Sequence, residues 1–325
     1  VLTQLNLHLS TNDLLQPFQS AYRQHHSTET ALLHILNDLL LSTDSGNISL
    51  LTLLDLSSAF DTIDHSILLN RLQNTFGIHG SALSWFTSYL TDRFQSVLVK
   101  NHQSNPVHLS CGVPQGSVLG PVLFTLYTSP LSHVIRNHNI NHHFYADDTQ
   151  MHDNDKPDNV QALLSRTADC YNNKLQLNDD KTEAMLVGTR QKIAQLPTSL
   201  SLQLDNTSIP ISDSVKNLGV ILDSTLSLQK FISSTAQSCY FHLRRISSIR
   251  KCLSIEATLK LVTSLVLSRI DYCNSLLVCL PDSSIKVLQR VQNNAARLIL
   301  LKKKSDHISP LLNQLHWLPV SQRIQ

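Results

Sequence analysis

The sequence has no CxxC pair among its six cysteines, and no histidine pair stands behind them at zinc-finger spacing. That argues against a zinc module or a disulfide framework. Cys111, Cys170, Cys239, Cys252, Cys273 and Cys279 are scattered and read as reduced thiols. No apolar run is long enough to span a membrane, and no signal peptide opens the chain. Internal repeats and low-complexity tracts are missing too, which removes solenoids and linker-like segments. The expectation is an intracellular protein of the nucleus and cytoplasm with no membrane partner. Charged residues make up only 15% of the 325 against 42% apolar, so the chain reads as globular. It opens on Val1 and ends on Gln325 in mid-pattern, and is read as a fragment or degraded copy of a longer protein.

Acids are scarce in one region. From Lys230 to Lys304, thirteen Lys and Arg face only Glu256, Asp271 and Asp282, a net +10 against +2 for the whole chain, leaving −8 elsewhere. An acidic part followed by a basic part suggests a metal-binding region joined to one that binds a polyanion. The sixteen histidines include the adjacent pairs His25-His26 and His142-His143. Neighbours in a strand point opposite ways, so neither pair suggests a metal site.

Periodicity predicts a helix over 27–41 and a buried strand from Ile48 that ends on an aspartate. Short helices are expected at 64–76 and 80–90, and strands at 94–99 and 107–109. Residues 111–120, CGVPQGSVLG, form a shaped loop, after which Pro121 suits the first turn of a helix running to about Arg136. Strands at 143–146 and 149–152 flank Asp147-Asp148 as a hairpin with the acids at its turn. A helix is expected at 158–175, strands at 182–188 and 215–222, and amphipathic helices at 229–250, 255–279 and 283–301. The domain boundary falls near residue 225, with strands and helices mixed before it and helices alone after it.

Asp55 ends the early strand, and Asp147-Asp148 follow 92 residues later. Alone, an aspartate pair is a solvated turn and an aspartate at a strand end is a cap. Together they have the chemistry of a Mg²⁺ site, because Mg²⁺ takes hard oxygen ligands in octahedral geometry and keeps several waters. Dications also hold crowded carboxylates in their ionised form.

What surrounds each acid narrows the reading. Residues 53–65 (LLDLSSAFDTIDH), 111–127 (CGVPQGSVLGPVLFTLY) and 144–152 (FYADDTQMH) resemble motifs A, B and C of reverse transcriptases, in order. The resemblance is to the enzymes of non-LTR (LINE-type) retrotransposons. Residues 19–31 (QSAYRQHHSTETA) resemble that family's fingers motif, 175–187 (LQLNDDKTEAMLV) its motif D, and 216–222 (KNLGVIL) its motif E primer grip. The match covers about 18–225, with a weaker signature beyond. It implies an α+β right-hand polymerase: fingers and palm at 1–225, with an antiparallel palm sheet and fingers incomplete at the N-terminus, then a helical thumb or connecting segment at 226–325.

The resemblance implies an RNA-directed DNA polymerase that adds dNTPs to a DNA primer 3′-hydroxyl on an RNA template. Two Mg²⁺ ions, replaceable by Mn²⁺, stabilise the attacking and leaving oxygens in such chemistry. Asp55 would bind both metals, Asp147 would be the second ligand, and Asp148 would share the site. Phe60 falls where the family sets a bulky side chain against the sugar; read without the motif, it is a core Phe. Gln115 would hydrogen-bond template or nucleotide, and Gly116 lets backbone approach closely. Arg23 would contact triphosphate or template, and Lys181 the leaving pyrophosphate. Asp61 is read as structural.

In the basic segment, Lys230, Arg244, Arg245, Arg250, Lys251, Lys260, Arg269, Lys286, Arg290, Arg297 and Lys302 to Lys304 would track the backbone of an RNA–DNA hybrid. The competing meaning is a solubilising face, but such faces mix both signs. Two other functions stand beside the polymerase: a nucleic-acid-binding remnant without turnover, and an RNA-dependent RNA polymerase.

Overall fold

The structure is a computed structural model that describes residues 1–55, 60–172, 181–197, 200–204, 207–278 and 280–324, without the side chains of Asp55, Tyr171 and Asn172. Cys279, residues 56–59 of motif A and residues 175–180 of motif D lie outside the described residues. In chain order come α1 (Leu2–Thr11), α2 (Thr28–Asp44), β1 (Ile48–Asp55), α3 (His65–Asn74), α4 (Gly80–Leu90), β2 (Arg93–Gln95), β3 (Leu98–Val99), β4 (His102–Gln103) and β5 (Val107–Leu109). Then follow α5 (Gly120–Thr128), α6 (Leu131–Asn137), β6 (Asn141–Tyr145), β7 (Asp148–Asp155), α7 (Val160–Asn172), β8 (Glu183–Val187), α8 (Arg190–Gln195), β9 (Ser201–Leu204) and β10 (Thr207–Pro210). The rest is β11 (Ser214–Asn217), β12 (Val220–Asp223), α9 (Gln229–Ile249), α10 (Ile255–Val262), α11 (Ser268–Asp271), α12 (Asp282–Leu300), α13 (Ile308–Gln314) and α14 (Val320–Ile324). Among the described residues no helix is long and apolar enough to cross a membrane.

Two compact units divide the chain: 1–27 with 50–184 and 199–211, and 28–49 with 185–198 and 212–325. The strands β6, β7, β1 and β8 stand in that order in one sheet, of which β6, β7 and Leu50–Asp55 of β1 belong to the first unit. As an inner strand β1 is covered on both faces: Leu50, Leu51, Thr52 and Leu54 are all buried. That explains its nearly unbroken apolar run. Beside the sheet, α1, α3, α4 and α5 bury Leu9, Leu68, Leu72, Phe86, Leu123 and Phe124 in one core. Each such side chain contributes about 1.5–3 kcal/mol on leaving water.

Several predicted elements are interrupted, each for a local reason. The helix after Pro121 is two helices, α5 and α6, because Pro130 lacks the amide that would continue the first. The strand at 94–99 is two short strands, which pair as β2–β5 and β3–β4. Residues 215–222 are a hairpin, β11–β12, turning at Leu218-Gly219 where φ is +45° and +85°. Two positive φ angles in a two-residue loop suit the twist of the strands. Residues 255–279 break into α10, a π-turn, α11 and a 3₁₀ turn, with Cys273 at φ +51° between α11 and the 3₁₀ turn.

His142 and His143 point to opposite faces of β6, and both are buried. One donates to or accepts from Ser132 and the other Ser20, at 2.8 Å each. Burial pushes the His142 imidazole down to about 4, and the nearby Arg136 and His152 add to the effect. The folded chain therefore keeps this ring neutral where the unfolded chain, near 6.5, takes up a proton. Stability is full above pH 6.5 and falls as the pH drops toward 4, by roughly 3 kcal/mol if this group acts alone. Urea melts from pH 7 to 4 are expected to show that slope, and His142→Gln to flatten it.

In the second unit, α9 packs on α12, and the two helices bury Phe231, Cys239, Leu243, Leu288, Val291 and Ala295. Asp223 closes the turn before α9. Its buried carboxylate accepts from the amides of Thr225, Ser227 and Leu228 and from two hydroxyls. Burial works against its charge, but the bonds from Thr225 and Ser227 outweigh it and hold its acidity below the usual carboxylate value.

Arg250 is a correction to the basic face. It is 6% exposed, and its guanidinium donates to the carbonyls of Leu298 at 3.0 Å, Ile299 at 2.7 Å and Leu253 at 2.7 Å. It thus satisfies two of the last carbonyls of α12, which have no partner within the helix. Arg250→Met is expected to cost about 3–5 kcal/mol, since it leaves buried acceptors unpaired. Arg250→Lys should recover only part, because one ammonium cannot match the fork. The check is the urea midpoint at unchanged m.

Candidate active site

The acids arrive on the sheet by simple topology. Asp55 is the last residue of β1, and Asp148 is the first of β7, the strand beside it in the sheet. β6 and β7 pair antiparallel with Tyr145 opposite Asp148, so their connection is Ala146-Asp147 alone. This adjusts the expected hairpin: only Asp147 occupies the turn, and Asp148 already belongs to the strand. Asp147 is half-buried and Asp148 exposed. Ala146 takes φ +58°, unusual for a residue with a Cβ.

Two residues beside this turn were not singled out from the sequence. The Gln19 side chain, 5% exposed, bonds both backbone groups of Ala146. Tyr22, at φ +59°, lies close enough to feel Asp147: its hydroxyl is pushed up first by burial, then by the negative charge of Asp147 and by Tyr145. Both stand in the QSAYR stretch beside Arg23. A buried glutamine has to find partners, but nothing local in the sequence reveals that they lie 127 residues away.

Arg23 is half-buried, and its Nη1 donates to the carbonyls of Gln16 at 3.0 Å and Gln19 at 3.2 Å. That end of the guanidinium braces the loop carrying Gln19. Lys181 is exposed at the edge of β8.

The loop of motif B runs along the segment after β1. The amide of Gly112 donates to Ile63 O at 2.8 Å and that of Val113 to Phe60 O at 2.9 Å. His65 Nε2 lies 2.7 Å from Gly112 O. A Cβ on Gly112 would stand 3.1 Å from the Asp61 backbone at φ +86°, so only glycine fits this close approach. Gly116 has φ +77° with open space around it, so conformation alone requires glycine there.

Gln115 is exposed, and its amide donates to both carboxylate oxygens of Asp61, at 3.1 and 3.0 Å. Asp61 therefore ties motif A to motif B. Phe60 is half-buried with its ring 5.2 Å from Phe124 at 38°. Beyond these residues a cleft of about 700 Å³ opens between Asp61, His65, Arg93, Phe94, His108 and Gln115.

In the second unit the motif E hairpin is clasped by Tyr272. Its hydroxyl donates to Leu218 O at 2.6 Å, and its ring would meet a Cβ on Gly219 at 3.3 Å. Of the cations in the basic segment, Lys230, Arg244, Arg245, Lys251, Lys260, Arg269, Lys286, Arg290 and Lys302 to Lys304 are exposed, and Arg297 is half-buried.

A four-stranded sheet in which the strand ending at Asp55 lies next to the one beginning at Asp148 has the arrangement of a right-hand polymerase palm. The fold is shared with the apo telomerase of Candida tropicalis truncated from its C-terminal domain. The TM-score is 0.50 at 16% identity, over 69% of this chain and 43% of that one. Residues 1–222 match the family described as reverse transcriptase (RNA-dependent DNA polymerase), and the chain belongs to that family. It is 26% identical over 272 residues to the probable RNA-directed DNA polymerase from transposon BS of Drosophila melanogaster, covering 80% of this chain and 29% of that protein. To the corresponding protein of the X-element of the same fly it is 25% identical, covering 86% and 31%. To the RNA-directed DNA polymerase from mobile element jockey it is 25% identical, covering 75% and 27%. The chain thus spans less than a third of the length of these curated relatives.

Proposed function

We propose that this chain is the polymerase core of a non-LTR retrotransposon reverse transcriptase, extending a DNA primer on an RNA template with dNTPs. The observation that carries the reading is the Ala146-Asp147 turn, which opens into Asp148 on the strand next to the one ending at Asp55. Membership of the family and the likeness to retrotransposon polymerases support it.

The donor set suits a hard divalent cation, Mg²⁺ or Mn²⁺. Among the described residues no group of three ligands forms, and the Asp55 side chain is not among those described. Asp55, Asp147 and Asp148 would hold the metals, which when bound stabilise charge on the attacking and leaving oxygens.

The protein's own groups do the rest. Phe60 presents an aromatic edge against the sugar and excludes a ribose 2′-hydroxyl. Gln115, held by Asp61, and Gly116 line the nucleotide and template side. Arg23 and Lys181 supply positive charge toward the triphosphate. The exposed cations of α9 to α12 hold the hybrid through its phosphates, without reading sequence.

The test is primer extension by the purified chain on an RNA template with dNTPs and Mg²⁺, with EDTA as the control. Metal-dependent DNA synthesis is the expected result. Salt-sensitive binding of the hybrid without incorporation would instead favour a remnant that binds and does not turn over. Preferential use of NTPs would favour an RNA polymerase.

A further inference from the structure

We propose that Gln19 is a positioning residue that sets the direction of the Asp147 carboxylate by gripping the peptide group in front of it. The inference rests on the polymerase reading above, and names a residue that the reading does not require.

Gln19 Oε1 accepts from the Ala146 amide at 3.1 Å and the Ala21 amide at 2.9 Å. Its Nε2 donates to the Ala146 carbonyl at 3.3 Å. The two amides can only donate and the carbonyl can only accept, so the orientation of the side-chain amide follows from its partners. The Ala146 carbonyl belongs to the peptide bond joining Ala146 to Asp147. Holding that plane holds the start of Asp147.

The grip is needed because the turn is strained. Ala146 sits at φ +58°, a conformation unfavourable for an L-residue that persists only where the surroundings impose it. The surroundings here are built for that. Residues 18–20 lie along the outer edge of β6, with Phe144 N to Phe18 O at 2.8 Å and Ser20 N to Phe144 O at 3.0 Å. Arg23 secures the same loop through the carbonyls of Gln16 and Gln19. Gln19 is therefore a buried amide with two of its three bonds to the backbone of the turn that carries Asp147. A Met there would fill the volume with no polar bond. A Glu would keep the acceptor and turn a second oxygen against the Ala146 carbonyl.

Gln19→Met and Gln19→Glu are compared with the wild-type 325-residue chain in two ways. Hydrogen exchange of the Ala146 amide is expected to speed up at least roughly tenfold in Gln19→Met, and less in Gln19→Glu, which keeps the acceptor. In primer extension both variants are expected to lose roughly 10- to 100-fold in kcat. The Mg²⁺ concentration for half-maximal rate should rise, while KM for dNTP and hybrid affinity stay within about threefold. Unchanged exchange at Ala146 overturns the grip whether or not the chain is active. Faster exchange with unaltered kcat and Mg²⁺ dependence overturns the positioning role and leaves Gln19 as a packing residue. A wild-type chain that makes no DNA overturns the polymerase reading and the catalytic role with it, while the exchange result still decides the grip.

Discussion

Asp147→Asn is expected to abolish primer extension, lowering kcat by roughly 10³-fold or more, the scale set by removing one charge-stabilising group from a preorganised site. The substitution changes almost nothing else. Asn has the same shape, suits a turn, and leaves the pairing of Tyr145 with Asp148 untouched. What it removes is the negative charge that the Tyr22 hydroxyl feels. Thermal unfolding and hybrid binding should therefore stay near wild type while synthesis vanishes, and Mn²⁺ should not restore it. Asp55→Asn is expected to match it. Asp148→Asn should cost less, because that side chain is exposed and begins the strand rather than occupying the turn. Activity within tenfold of wild type in Asp147→Asn would remove this turn from the chemistry.

Phe60→Val should separate two roles that the ring can hold at once. Its contact with Phe124 at 5.2 Å makes it part of the core shared by α3, α4 and α5. Its partial exposure leaves an edge free to meet a sugar. Losing the half-buried ring should cost about 1–2 kcal/mol of stability, less than a fully buried Phe. If the ring also gates the sugar, the ratio of NTP to dNTP use should rise roughly 10- to 100-fold, the range available to a steric difference of this size. A lower unfolding midpoint with an unchanged sugar preference would make Phe60 a core residue alone. Because stability and selectivity are measured separately, neither can mask the other.

The hairpin 141–155 and the strand at Ile48–Asp55 were legible because their signals are local: a closed apolar run, alternation, and two acids between extended segments. The helix broken at Pro130 and the hairpin turning at Gly219 are also marked locally, each by a single residue within a longer periodic run. The small elements α1, α8, β9, β10, α13 and α14 carry too little periodicity to be seen alone.

What the amino-acid order determined unaided was membership of the reverse transcriptase family. Motifs A, B and C state which side chains are present, and short-range periodicity states the elements that bear them. Tertiary structure alone decided what each polar group is spent on. It assigned Arg250 to the end of a helix 48 residues on rather than to solvent, Gln115 to Asp61, and Gln19 to a turn 127 residues away. A side chain's hydrogen-bonding capacity is written in its type, but its partner is chosen by whichever backbone folding brings within 3 Å or so, and no local pattern encodes that meeting.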